Sequence, residues 1–144
     1  MPNEFRLLWK IEGVPELSRI LGMTYQKVTN LKKPLQASAK LVRQDVEQQF
    51  KTEGGLTGGW QPLSESTMRG RGNSPILQVS GALRNSFYSQ VDERKAIISS
   101  KLPYFKYHQS RKPRKKLPRR VMLVLTNRTK ENIVQEFNQF LRFK

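Results

Sequence analysis

The sequence predicts an α+β fold: a small antiparallel sheet packed against a long helix in the N-terminal half and a C-terminal helix, with a long glycine-rich loop. Three observations predict it. Apolar residues fall at Val28, Leu31, Leu35, Ala39, Val42, Val46 and Phe50, steps of three and four that keep one face of a helix. Two short β-prone runs, 86–91 and 95–101, flank Asp92-Glu93-Arg94, the pattern of a hairpin. Ile133, Val134, Phe137, Phe140 and Leu141 again mark one helical face, by spacing alone. A chain of 144 residues suits one domain over 1–144 and leaves little room for a second independent core.

The elements follow in order. Phe5 to Ile11 alternates loosely and ends at Gly13, which reads as a strand. Residues 14–21 suit a short helix, with Pro15 in its first turn and Gly22 at its stop. The long helix is expected over about 25 to 51. At Pro34 it either bends or gives way to a shorter helix that begins there. Residues 51–75 hold six glycines and two prolines and read as a long loop, with 64–68 able to supply one turn. Regular structure is expected to resume near Ile76, with a short helix or turn over 81–86, then the hairpin. Residues 103–109 suit a short aromatic-rich helix. Val121 to Leu125 is an apolar run typical of a buried strand. Thr126 or Thr129 can cap the last helix.

Composition narrows the class. The net charge is +16, from 27 Lys and Arg against 11 Asp and Glu, so polyanions are natural partners: DNA, RNA, an acidic protein surface or an anionic membrane. No apolar run approaches the ~20 residues that span a bilayer, and Met1-Pro2-Asn3-Glu4 lacks the layout of a signal peptide. The expectation is a protein made in a cytoplasm that stays there or leaves inside a larger particle, without a membrane partner. Cys is absent, which excludes disulfides, thiolate metal sites and a Cys nucleophile.

Catalytic chemistry finds no support. His108 is the one histidine, and a general base needs a partner that it orients or that orients it. The carboxylates are scattered without catalytic or metal-ligand spacing. His108 is expected as a packed ring at the end of the aromatic segment, its nitrogens bonded locally. Gly54-Gly55 and Gly58-Gly59 are not followed by Lys and Ser/Thr, so the phosphate-loop pattern is missing and a flexible loop is the expectation. The chain therefore reads as a non-enzyme with no metal and no cofactor.

The most charged stretch lies in the loop 110–120. Arg111, Lys112, Arg114, Lys115, Lys116, Arg119 and Arg120 are seven cations in ten residues, broken by Pro113 and Pro118. The prolines and the mutual repulsion favour an extended, solvated loop. It suits phosphate contact by counterion release or docking on a protein. No base-reading element accompanies it. Tyr104, Phe105 and Tyr107 precede it and can either stack on bases or pack in the core. Core packing is the expected role.

One ordered constellation is more specific. It comprises Phe50, then Gly59-Trp60-Gln61-Pro62-Leu63-Ser64-Glu65-Ser66-Thr67, then Ile76-Leu77-Gln78-Val79-Ser80-Gly81-Ala82-Leu83-Arg84-Asn85-Ser86. Tyr104 with His108-Gln109 follows, then Leu117-Pro118-Arg119-Arg120. From about residue 41 to the C-terminus this resembles the phage virion morphogenesis family, the tail-completion proteins of contractile-tailed phages and prophages. The sequence departs from the pattern at Ser110, where the family usually carries Gly, and in the strong basicity of the loop. Residues 1–24 are a variable lead-in on this reading. Trp60, Pro62, Leu63, Thr67, Leu77, Ser80, Gly81, Leu83, Arg84, Tyr104, His108, Gln109 and Pro118 are its motif positions, and they make sense as scaffold. Trp60 can anchor a loop by burying a large ring, Pro62 fixes φ before a turn, and Gly81 gives a tight backbone site.

The resemblance implies a non-enzymatic structural protein that completes the tail end or joins the tail to the DNA-filled head. It implies a homo-oligomeric ring, a hexamer by expectation, at the virion neck or tail end, assembled in the host bacterial cytoplasm. Other tail or head-tail connector proteins would be its partners, and the basic loop would meet either DNA in the channel, without specificity, or an acidic ring. The alternative, carried by the charge, is a small basic nucleic-acid-binding or regulatory protein.

Overall fold

The structure, a computed structural model, describes residues 6–9, 29–112 and 114–142, with the backbone alone of 6–9. The elements are β1 (Arg6–Trp9), α1 (Lys32–Lys51), a 3-10 turn (Gly55–Thr57), α2 (Glu65–Arg71), a second 3-10 turn (Arg84–Ser86), β2 (Phe87–Val91), β3 (Ala96–Ser100), α3 (Phe105–Gln109) and α4 (Asn127–Leu141). The three strands form one antiparallel sheet in the order β1-β3-β2. The architecture is α+β as expected, with the strand near Phe5 and the 86–101 hairpin in place. The helix expected over 14–21 lies outside the described residues.

The long helix is interrupted at 30–31, just before Pro34. Leu31 gives its amide to the Glu93 carbonyl in the hairpin turn, at 2.8 Å, rather than to a helical ladder. Asn30 Oδ1 accepts from the Lys32 amide at 3.2 Å. Pro34 falls in the first turn, where its missing N–H costs nothing. Thr29 is helical and α1 starts at Lys32, so the break at 30–31 falls just before Pro34, where an interruption was expected; 25–28 lie outside the described residues.

The core lies between α1, the sheet and α4. Leu35, Ala39, Val42, Val46 and Phe50 bury one face of α1, and Phe137 and Leu141 of α4 join them. Val134, expected on that face, is 50 % exposed; a helix of 3.6 residues per turn leaves room for fewer apolar positions than the sequence offers. An edge-to-face chain of rings runs through the centre. Phe50 meets Trp60 at 5.5 Å and Phe87 at 6.0 Å, and Phe87 meets Phe105 at 5.2 Å. Such pairs contribute about 0.5–1.5 kcal/mol each beyond area burial.

Local chemistry sets the other ends. Ser64 caps α2, its hydroxyl accepting from the Thr67 amide. Of the two candidates for α4, Thr126 is the cap, accepting from the Thr129 amide at 3.1 Å. Three expectations need correction. Residues 76–83 are turns and bends, and regular structure resumes only at Arg84. The glycine pairs are not loose: Gln49 accepts from the Leu56 amide at 2.9 Å and donates to Thr57 Oγ1 at 3.0 Å, which winds 55–57 into its 3-10 turn. Val121 to Leu125 forms no strand, because side chains rather than a neighbouring strand take its backbone hydrogen bonds.

Candidate functional site

Those side chains clamp the base of the basic loop. Gln109, the last residue of α3, receives the Met122 and Leu123 amides on Oε1 at 3.0 and 3.1 Å and donates from Nε2 to the Leu123 carbonyl at 2.7 Å. One carboxamide thus does the work of a neighbouring strand residue. The Val121 carbonyl accepts from both Gln49 Nε2 and Trp60 Nε1, each at 2.8 Å. A carbonyl has two lone pairs, and both are used. The Arg120 amide donates to the His108 carbonyl at 3.0 Å, and Arg119 Nε to the Gln109 carbonyl at 3.2 Å. The two ends of the loop are held side by side, so its position is set by the core.

Above this clamp the loop is exposed. Arg111, Lys112, Arg114, Lys115, Lys116 and Arg119 all face solvent. Among the described residues no carboxylate pairs with any of them. The Arg114 guanidinium lies 4.3 Å over the Tyr107 ring, with Lys106 Nζ at 5.1 Å from the same ring. Tyr104 and Tyr107 are exposed, while Phe105 is buried. The expected core role therefore holds for Phe105 alone. Tyr104 precedes the helix and Tyr107 stands two residues after Phe105, on another side of so short a helix.

Arg120 does not belong to the exposed set. It is 5 % exposed, and its Nε and Nη2 donate to the Gln61 carbonyl at 3.2 and 2.9 Å. It ties the Trp60 loop to the clamp, and its guanidinium cannot face a partner from there. The other motif positions are spread through the scaffold. Arg84 bridges Glu47 at 2.8 Å and reaches Gln78 Oε1 at 3.4 Å, while Gln78 donates to the Phe50 carbonyl at 2.8 Å. Leu83 is buried. Leu77 and Gly81 have φ of 60° and 71°, so Leu77 holds a left-handed conformation that costs a non-glycine residue about 1 kcal/mol or more. Ser80 accepts from the Ala82 amide at 3.2 Å. Pro62 and Thr67 are exposed, Leu63 and Pro118 half-buried.

Sequence reasoning missed Gln49 and Glu53. Gln49 is fully buried, and Glu53 Oε1 accepts the Ile76 amide at 2.6 Å. A signal existed for Gln49: it sits three residues after Val46 on the apolar face of α1, and a polar residue there must find partners.

His108 is 9 % exposed, and its Nδ1 has no hydrogen-bond partner. The expected local bonding of its nitrogens is corrected in that respect. Burial, and then the nearby Arg120 charge, hold the ring's pKa below its ordinary value of 6.5. The unfolded chain therefore binds more protons than the folded one as pH falls through 6.5 toward the lower folded value, and stability falls with it. His108→Gln is expected to flatten this slope. Urea midpoints at about pH 7.5 and about pH 5 would show it, because linkage to a single group disappears with the group.

Of the motif positions, Trp60, His108 and Gln109 hold the base of the loop through Val121, Arg120, Met122 and Leu123. A model of the phage virion morphogenesis family matches residues 14–142. The chain belongs to that family. It is accordingly a protein of phage particle assembly. Neither the curated proteins nor the solved structures include a significant match to the chain. Among the described residues of this family member no helix is long and apolar enough to cross a membrane.

Proposed function

We propose that this family member is a non-enzymatic structural part that completes the phage tail end or joins the tail to the DNA-filled head, as a homo-oligomeric ring, hexameric by expectation. The observation that carries it is the basic loop. Five cations, Arg111, Lys112, Arg114, Lys115 and Lys116, stand exposed, without carboxylate partners among the described residues, on a segment whose base is fixed to the core. A loop fixed at its base and charged at its tip presents the same positive surface in every subunit. Around a ring axis it either lines the passage taken by DNA or seats on an acidic ring of the connector or tail tube. Nothing in the loop reads bases, so contact with DNA would be loose and strongly salt-dependent, as passage of DNA requires.

Neutralising the five cations to Gln is expected to leave urea stability within about 0.5 kcal/mol, as for surface changes in general, and to block assembly. Electron microscopy of lysates complemented with this variant should show full heads beside separate tails, or tails of abnormal length. Infectious particles of normal form would overturn the proposal. In that case the charge would favour a basic regulator of nucleic acid, for which a sequence preference in DNA binding is the signature. Mass measurement of the purified protein tests the ring independently, and a monomer at all concentrations would exclude self-assembly of the ring.

A further inference from the structure

β2 pairs with the central strand β3 on one side and is an edge strand of the sheet on the other. The carbonyl of Ser86 accepts from Lys101, and the amide of Asp92 donates to the Lys95 carbonyl. Residues of even number along β2 thus turn their backbone groups toward β3, and those of odd number turn theirs to the open edge. Phe87 confirms the direction, since Arg43 Nη2 from α1 reaches its carbonyl at 3.4 Å. Ser89 and Val91 come next on that edge, and among the described residues no hydrogen bond occupies their outward amides and carbonyls.

Beside this edge lies a cavity of about 680 Å³ between α1 and β2, whose lining includes Lys32, Lys40, Arg43, Glu47, Ser89 and Val91. Three cations face one carboxylate there, and Glu47 is already bridged by Arg84 at 2.8 Å. The groove therefore combines a row of unsatisfied strand donors and acceptors with uncompensated positive charge. Unpaired edges that native proteins leave exposed invite another strand, and inward lysines alone would discourage a neutral one. A carboxylate-bearing strand satisfies both the backbone row and the charge.

We propose that the β2 edge and the α1 cations form a docking groove for an extended acidic segment of a partner protein, which adds to the sheet as a further strand. Duplex DNA would use only the cations and leave the strand edge unpaired. A second copy of this chain, with 27 Lys and Arg against 11 Asp and Glu, brings few acidic residues to fill this groove, whatever contacts it makes elsewhere. The groove is separate from the basic loop, so the proposal stands without the assembly reading.

The test uses a fluorescent peptide of alternating Glu and Val, the same peptide N-methylated at every second residue on the pairing edge, and labelled duplex DNA. Binding is read by anisotropy, and its site by hydrogen exchange of the Ser89 and Val91 amides. The plain peptide should bind at low salt and protect both amides. N-methylation should weaken it at least about tenfold, the equivalent of a lost 1.4 kcal/mol. Ser89→Pro removes an outward amide without touching the ladder to β3 and should weaken it as much. Lys32→Ala with Lys40→Ala should weaken it and reduce its salt dependence, which keeps the test decisive if the proline variant fails to fold. The loop-neutralised variant should bind as the unmodified protein does. Equal binding of the N-methylated peptide, displacement of the peptide from the groove by duplex DNA, or no protection of Ser89 and Val91 would each overturn the proposal.

Discussion

Trp60→Ala should cost the protein about 3–5 kcal/mol of stability, a large share of what a domain of this size has. The ring is 7 % exposed, packed edge-on against Phe50 at 5.5 Å, and bonded through Nε1 to the Val121 carbonyl. Its removal leaves a cavity beside the central aromatic chain, and truncations of this kind cost about 3–5 kcal/mol. A domain of ordinary stability has only about 5–15 kcal/mol to lose. Gly54 holds φ of 89° and lies so near that a Cβ there would collide with the Trp60 ring. The loop has been shaped around the indole. Trp60→Phe separates the two contributions. It keeps most of the apolar ring and loses the bond to Val121, whose carbonyl still accepts from Gln49. A cost of about 1 kcal/mol is expected for that variant. Chemical denaturation of both variants checks this, and an alanine variant as stable as the parent would show that the Trp60 loop is not part of the cooperative core.

How much of this was readable from residues alone depends on distance along the chain. The face of α1, the 86–101 hairpin and the face of α4 follow local periods of 3.6 and 2, and all three appear. Pro34 signalled the interruption before α1, but what holds it, the Leu31 amide on the Glu93 carbonyl far away in the hairpin turn, was not legible. Val121 to Leu125 misled because its partners, too, are distant. Five adjacent apolar residues resemble a strand, but the partners of their backbone are Gln109, Gln49 and Trp60, two of them more than sixty residues away. No window along the sequence contains that pairing. The basic loop was legible as a solvated loop, and its exposure agrees. That Arg120 is turned inward, unlike its neighbours, depended on the Gln61 carbonyl and was invisible to charge counting.

The clamp also makes the second large prediction. Gln109→Leu fills the same volume and deletes all three bonds to Met122 and Leu123. Two amides and a carbonyl are then left without partners at a buried segment, for Met122 and Leu123 are both core residues. Each orphaned group costs about 1–3 kcal/mol, so a loss of about 3 kcal/mol or more is expected. Gln109→Glu discriminates further. A carboxylate can accept the two amides but meets the Leu123 carbonyl oxygen with another oxygen, so part of the loss should return as the carboxyl group is protonated at low pH and can donate again. Hydrogen exchange is the direct measurement. The Met122 and Leu123 amides should be strongly protected in the parent and exchange rapidly in the leucine variant, while the β3 amides of residues 97–99 remain protected wherever the variant stays folded. The loop would then keep every cation and lose its fixed base. An assembly defect in that variant, with the charge untouched, would show that the position of the basic loop matters as well as its charge. Protection of Met122 and Leu123 unchanged by Gln109→Leu would mean that the segment is held by Gln49 and Trp60 alone.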